Sequence, residues 1–159
     1  MRRIKLDKID KKILKDLQAD GRMTNVELAK RAGISAPPCL RRVRSLEESG
    51  FIKGYFARIE PQAMGYGITV FASVRLTSQA ETDLKAFEDT CRAWPLVREC
   101  HMLSGEVDFL LRIVAKDWES YQKFLTESLT SAPNVTSVKT MPLVRTAKEE
   151  AGVPIEIGD

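Results

Sequence analysis

Two stretches of the chain repeat one another at a fixed distance, and few folds can satisfy that spacing. Gly67 and Gly105, Phe71 and Phe109, Phe87 and Leu125, and Trp94 of WPLV and Ala132 of APNV each stand 38 residues apart. Within each copy the hydrophobic period switches from two to 3.6 and back. Ile68, Val70, Ala72, Val74 and Leu76 alternate, as a strand with one covered face requires. Leu84, Phe87 and Cys91 then fall on one side of a helix, Pro95 ends it, and Val97 to Leu103 form a second strand. In the second copy Val107, Phe109, Leu111, Ile113 and Ala115 alternate, Trp118, Tyr121, Leu125 and Leu129 mark a helix, and Val135 to Val144 form the last strand. The order β-α-β-β-α-β predicts a ferredoxin-like sandwich over residues 67–146, with both helices on one face of an antiparallel sheet. The other face would carry Thr69, Phe71, Ser73, Arg75, Cys100, Met102, Leu110 and Val114, or the opposite set if the phase is reversed. A sheet apolar on both faces takes a cover, and a second copy of the chain related by a two-fold axis supplies one.

The preceding segment has a different charge. Residues 1–60 hold 15 Lys and Arg against 8 Asp and Glu, net +7, whereas residues 61–159 hold 10 against 14, net −4. The overall net charge of +3 hides this division between a basic module suited to a polyanion and a second module with another task.

Helical periodicity organises the basic module. Leu6, Ile9, Ile13, Leu14 and Leu17 share a face, with Asp7 placed to cap the helix and Gly21 to close it. Thr24 and Glu27 fit a capping box, Met23 and Leu28 a hydrophobic staple, and Gly33 a left-handed exit from a short second helix. Ser35 stands where an N-cap belongs. Pro37 and Pro38 follow in the first turn, where backbone N–H groups have no intrahelical partner, so they start a third helix instead of stopping it. Along that helix Cys39, Leu40, Val43 and Leu46 gather on one side, Arg41 points almost opposite, and Arg42 and Arg44 flank it.

Two helices joined by the turn AGIS, the second rich in arginine, predict an α+β protein that opens with a helix-turn-helix. Clustered arginines repel one another but suit a phosphate backbone, and they can bond guanine edges in bidentate fashion. Asn25, Ser35, Pro37, Pro38, Arg41, Arg42 and Arg44 are the candidate DNA-binding residues. The competing reading pairs Arg41, Arg42 and Arg44 with Glu47 and Glu48 on a solvated helix, Arg44 standing at a suitable spacing from both. FIKGYFARIE, from Phe51, reads as a strand leading out of the module, and PQAMGYG as a join between domains. The expected division is a DNA-binding domain at 1–54, a linker strand and hinge at 55–66, the sandwich at 67–146, and a loose or partner-docked tail at 147–159.

Several functions are disfavoured. No apolar run approaches the ~18 residues of a membrane span, and MRRIKLDKID has no signal-peptide core, so a cytoplasmic, nucleoid-associated protein is expected. Cys39, Cys91 and Cys100 form no CxxC pair and accompany a single histidine, His101, which supports neither a disulfide framework nor a zinc site. No nucleophile and base stand at a useful spacing around His101.

LDKIDKKILKDLQADGRMTNVELAKRAGIS, PCLRRVRSLEESGFIKGY and ECHMLSGEVDFLL together resemble the Lrp/AsnC family of transcriptional regulators, in family order and over most of the chain, with the leucine-responsive branch nearest. The resemblance implies a winged helix-turn-helix, a ligand-responsive ferredoxin-like (RAM) domain, dimers assembling into tetramers or octamers, double-stranded DNA as partner, an amino-acid effector and no cofactor. It places the effector at Met102, Leu103, Ser104, Gly105, Glu106, Val107 and Asp108, and further at Thr140, Met141, Pro142 and Leu143. A zwitterion needs N–H donors and an anionic acceptor, and Asp108 is the expected ammonium partner. From the residues alone, SGEVD reads as a hairpin turn, and Pro142 should mark an edge or irregularity in its strand. Two alternatives stay open: a siroheme-decarboxylase-like enzyme of the same fold, and an architectural protein that compacts DNA with little sequence preference.

Overall fold

A computed structural model describes residues 5–158, so the first four residues of the amino-terminal domain and the last of the tail lie outside the described residues. The chain divides into two compact units: residues 1–58 with 148–159, and residues 59–147.

In the first unit, α1 (Lys8–Ala19), α2 (Asn25–Ala32) and α3 (Ala36–Glu48) enclose Ile13, Leu28, Ala29, Ala32, Cys39 and Leu46. Asp7 caps α1 through a reciprocal box. Its side chain accepts the Asp10 N–H at 2.8 Å, and Asp10 accepts the Asp7 N–H at 3.1 Å. The helix closes at Asp20 and not at Gly21: Asp20 adopts an extended conformation, and its side chain accepts the Arg22 N–H at 2.9 Å. No left-handed glycine is needed there.

Only half of the expected Thr24 box forms. Thr24 Oγ1 accepts the Glu27 N–H at 3.2 Å, but the Glu27 carboxylate pairs with Arg31 one turn on, at 2.9 Å. Gly33, at φ +75°, closes α2 in the left-handed region. Ser35 caps α3 by its backbone alone, and Pro37 and Pro38 occupy the first turn. Leu40, expected on the packed side, is 40% exposed. Cys39, Val43 and Leu46 form the inward stripe, and Leu40 lies about 100° from Cys39.

FIKGYFARIE forms no strand. The N–H groups of Phe51 and Ile52 both bond to Leu46 O, at 3.0 and 3.2 Å, which folds the start of the segment onto the end of α3. The tail is docked, not loose: Gln18 donates to Val153 O at 2.8 Å and accepts the Val153 N–H at 3.1 Å. Glu149 pairs with Arg58 at 2.6 Å. Val153 to Glu156 thereby form one wall of a cleft of about 540 Å³, whose other walls include Leu14, Leu17, Phe51 and Tyr55.

The second unit is a four-stranded antiparallel sheet under two helices. Its elements are β1 (Ile68–Leu76), α4 (Glu81–Ala93), β2 (Val97–Met102), β3 (Phe109–Ala115), α5 (Trp118–Phe124) continued by one π-helical turn (Leu125–Leu129), and β4 (Val135–Pro142). The strand order is β2-β3-β1-β4. The leading strands of the two sequence copies are therefore the central pair, with Val70 opposite Ile113 and Ala72 opposite Leu111. Their inward residues, Val70, Ala72, Val74, Phe109, Leu111 and Ile113, are fully buried beneath Phe87, Tyr121, Phe124 and Leu129.

On β1 and β3 the open face is the expected one, with Thr69, Phe71, Ser73, Arg75, Leu110 and Val114. On β2 the phase is reversed. Cys100 is registered with Leu111 and packs into the covered core, so Glu99 and His101 take the open face beside Arg112 and Leu110. The cause is an irregularity between Val97 and Glu99, which shifts the register and breaks the alternation.

Candidate DNA interface and effector loop

The third helix presents its arginines in two different ways. Arg41 and Arg44 are exposed and make no ion pair among the described residues, Glu47 and Glu48 included. Glu47 instead accepts the Tyr55 hydroxyl at 2.9 Å, and burial together with that bond pushes the phenol up to about 12. Arg42, expected on the DNA face, turns back to α1. Its Nη1 lies 2.7 Å from Asp7 and 2.6 Å from Asp10, the two members of the capping box. The bonds to Asp10 and Asp7 raise the Arg42 pKa, and the Asp10 N–H, followed by the guanidinium, holds Asp7 below its ordinary value. One side chain thus fastens the start of the first helix to the middle of the third.

Asn25 also serves the fold. Its Nδ2 donates to Ala36 O at 2.9 Å, joining the first turns of α2 and α3, while its buried Oδ1 has no partner among the described residues. Ser35 and Pro37 are exposed and Pro38 is half-buried at the start of α3. Arg41 and Arg44 are therefore the exposed arginines of the helix, beside a first turn in which only the Ala36 N–H lacks a partner among the described residues, since Pro37 and Pro38 have no N–H and the Cys39 N–H bonds Ser35 O at 3.2 Å.

In the second unit, residues 103–107 form an exposed loop between β2 and β3. The Leu103 N–H bonds to Asp108 O at 2.8 Å, and the Arg75 guanidinium donates to Glu106 O, through Nε at 2.9 Å. The loop is tethered at its root and near its tip. Between these points the N–H groups of Ser104, Gly105, Glu106 and Val107 have no partner among the described residues. Gly105, at φ +145°, holds a conformation few other residues adopt, and a side chain there would meet open space. Met102 and Leu103 are 58% and 41% exposed beside it.

Asp108 is not placed for an ammonium group. It is only 6% exposed, its Oδ2 accepts the Leu76 N–H at 2.7 Å, and its Oδ1 accepts from Gln79 at 2.8 Å. Its carboxylate supplies the acceptor that Leu76 lacks on the β3 side, where the pairing of β1 with β3 ends at Val74 and Phe109.

The β4 candidates alternate between faces. Thr140 lies opposite Ala72 and bonds the Tyr121 hydroxyl at 2.7 Å on the helix side, whereas Met141 lies opposite Phe71 on the open side. Pro142 ends an edge strand, where a missing N–H does least harm, and the Leu143 N–H continues the ladder to Thr69 O at 2.9 Å. On the open face Glu99 lies 2.6 Å from Arg112 and 3.3 Å from His101. Arg42, Gln79 and Arg75 were beyond sequence reasoning as structural ties, since each bridges elements at least 29 residues apart. Asp7-x-x-Asp10 was the one local signal.

Residues 69–153 match the family model described as the Lrp/AsnC ligand binding domain, and residues 6–53 match a winged helix-turn-helix DNA-binding domain. The chain belongs to the Lrp/AsnC family. It is 54% identical over 153 residues to the leucine-responsive regulatory protein of Rhizobium meliloti, covering 96% of this chain and 98% of that one. To the leucine-responsive regulatory protein of Escherichia coli K12 it is 40% identical over 144 residues, covering 91% and 88%. Among solved structures, a transcriptional regulator of Neisseria meningitidis in complex with L-Met superimposes with a TM-score of 0.89 at 35% identity, covering 94% of this chain and 97% of that one. An AsnC family regulator from Agrobacterium tumefaciens gives 0.86 at 33%, with the same coverage. This member of the Lrp/AsnC family is a DNA-binding transcriptional regulator with a ligand-binding domain, and not an enzyme. Among the described residues no helix is long and apolar enough to cross a membrane.

Proposed function

We propose that the chain regulates transcription in response to an amino acid with an apolar side chain, read by the loop between β2 and β3. The observation that carries this reading is the run of unpartnered N–H groups at residues 104–107, held by tethers on either side and flanked by the exposed Met102 and Leu103. Such donors suit a carboxylate, and the apolar neighbours suit a hydrocarbon side chain. With Asp108 buried, the exposed Glu106 is the acidic group left to receive an ammonium. The L-Met bound by the Neisseria protein belongs to this ligand class. DNA is read by Arg41 and Arg44 at the start of α3, with Ser35 and Pro37 close to the phosphates. A two-fold dimer, assembling further into tetramers or octamers, covers the open sheet face and presents two recognition helices to one site.

A thermal-shift series with the twenty amino acids tests the effector, because a ligand held only by the native state raises the melting temperature. A rise confined to apolar amino acids, abolished by Gly105→Val, is expected. No rise with any of them, together with equal affinity for promoter and random DNA, would replace this reading with that of an architectural protein.

A further inference from the structure

The first unit holds a cleft that neither the arginine face of α3 nor the effector loop uses. It measures about 540 Å³ between α1, the segment that leaves α3 and the returned tail, within the ~300–1,000 Å³ of pockets that take small molecules. Leu14 and Leu17 line it from α1, Phe51 and Tyr55 from the segment after α3, and Val153 and Ile155 from the tail. Hydrogen bonds hold these walls apart from one another's side chains. The Tyr55 hydroxyl donates to Glu47, the Phe51 N–H bonds Leu46 O, and Gln18 clasps Val153 through two bonds. The hydrocarbon on the walls stays wet: Phe51 is 44%, Tyr55 46% and Val153 64% exposed.

The polar groups around this hydrocarbon select the charge of what enters. Lys11, on the same side of α1 as Leu14 and Gln18, and Lys53, between Ile52 and Gly54, both line the cleft, and neither makes an ion pair among the described residues. Glu156 is the one acid in the described lining, which leaves one positive charge in excess. The N–H groups of Lys53, Gly54 and Tyr55 also have no partner among the described residues. We infer that the cleft is a second small-molecule site, separate from the effector loop, and that it takes a flexible aliphatic monocarboxylate. The hydrocarbon chain lies on the wet apolar walls and removes them from water, while the carboxylate meets Lys11 and Lys53. An ammonium group would add to the positive excess, which sets this ligand apart from the amino acids expected at the loop. When bound, it joins the tail to α1 and to the exit of α3, since all three contribute to the lining.

The test titrates the full-length protein by calorimetry with decanoate, kept below its micelle concentration, and with decanol and decylamine, which keep the chain and change the head group. Decanoate should bind saturably and several-fold more tightly than decanol, with decylamine weakest. Lys11→Gln and Lys53→Gln should each weaken decanoate several-fold and leave decanol unchanged. A diazirine derivative of decanoate, photolysed on the wild-type protein and mapped by mass, should label residues 51–55 and 153–156, and excess decanoate should remove the label. The inference is overturned if decanoate shows no saturable binding, if decanol or decylamine binds as tightly, if both lysine variants bind decanoate as the wild type does, or if the label falls elsewhere, as on the loop at 103–107. Because the labelling uses the wild-type chain, misfolding of a variant would not leave the question unanswered.

Discussion

At the scale of single residues, side chains that read as binding groups turn out to hold the backbone. Asp108 is the clearest example. A carboxylate beside a Gly-containing loop invites an ammonium, yet both its oxygens are taken, by the Leu76 N–H and by Gln79. Asp108→Ala should therefore lower stability by roughly 1–3 kcal/mol, the range for leaving a buried donor without its acceptor, seen as a lower urea midpoint. An unchanged midpoint with loss of ligand response would return Asp108 to the binding site. Asp7 makes a similar point about pH. The Asp10 N–H and then Arg42 depress its folded-state pKa, so its contribution is complete above the unfolded value of about 3.9 and is lost as pH falls through the lower folded value. In urea titrations the stability gap between wild type and Asp7→Ala should hold from pH 7 to about 5 and shrink toward pH 3. A gap that widens in acid would show that Asp7 is not stabilised as a carboxylate.

At the scale of elements, α3 divides its arginines between fold and function. Arg41→Ala and Arg44→Ala should weaken promoter binding, by roughly 1–3 kcal/mol where the arginine reads a base, and leave the melting temperature nearly unchanged. Arg42→Ala should lower the melting temperature, because Asp7 and Asp10 lose their common partner. Fluorescence anisotropy and calorimetry on the three variants separate the roles, and a stable Arg42→Ala with weakened DNA binding would place Arg42 on the DNA after all. The helix itself was legible in the sequence because its evidence is local: two prolines in a first turn, then a 3.6-residue stripe. The sandwich was legible for the same reason, since alternation along β1 and β3 fixes both order and facing. Strand β2 was not, because a register shift between Val97 and Glu99 depends on pairing with β3 and leaves no mark in the alternation. The directions of Arg42 and Asp108 were hidden likewise, their partners lying about thirty residues away in sequence.

At the scale of the whole molecule, the two ends of the chain belong to one unit, since residues 148–158 return to pack with α1. Nothing in the mixed composition of the tail announces this; the contact joins Gln18 to Val153 across 135 residues. What fits the tail to its seat is Gly152. Its φ of +71° lies in the left-handed region, and a Cβ there would overlap the Gln18 carboxamide that clasps the next residue. Gly152→Ala therefore meets a conformational penalty and a steric one at the same bond pair, and the tail should leave its seat. Gly158 has open space around it and no positive φ, so Gly158→Ala is the matched control. Limited trypsin digestion reads the difference through cleavage after Lys148. That rate should rise several-fold in Gly152→Ala and stay at the wild-type value in Gly158→Ala, because proteolysis follows the population of the open segment. Equal cleavage in all three proteins would mean that the clasp at Gln18 contributes too little to hold the tail, and that its seat depends on Arg58 and Glu149 instead.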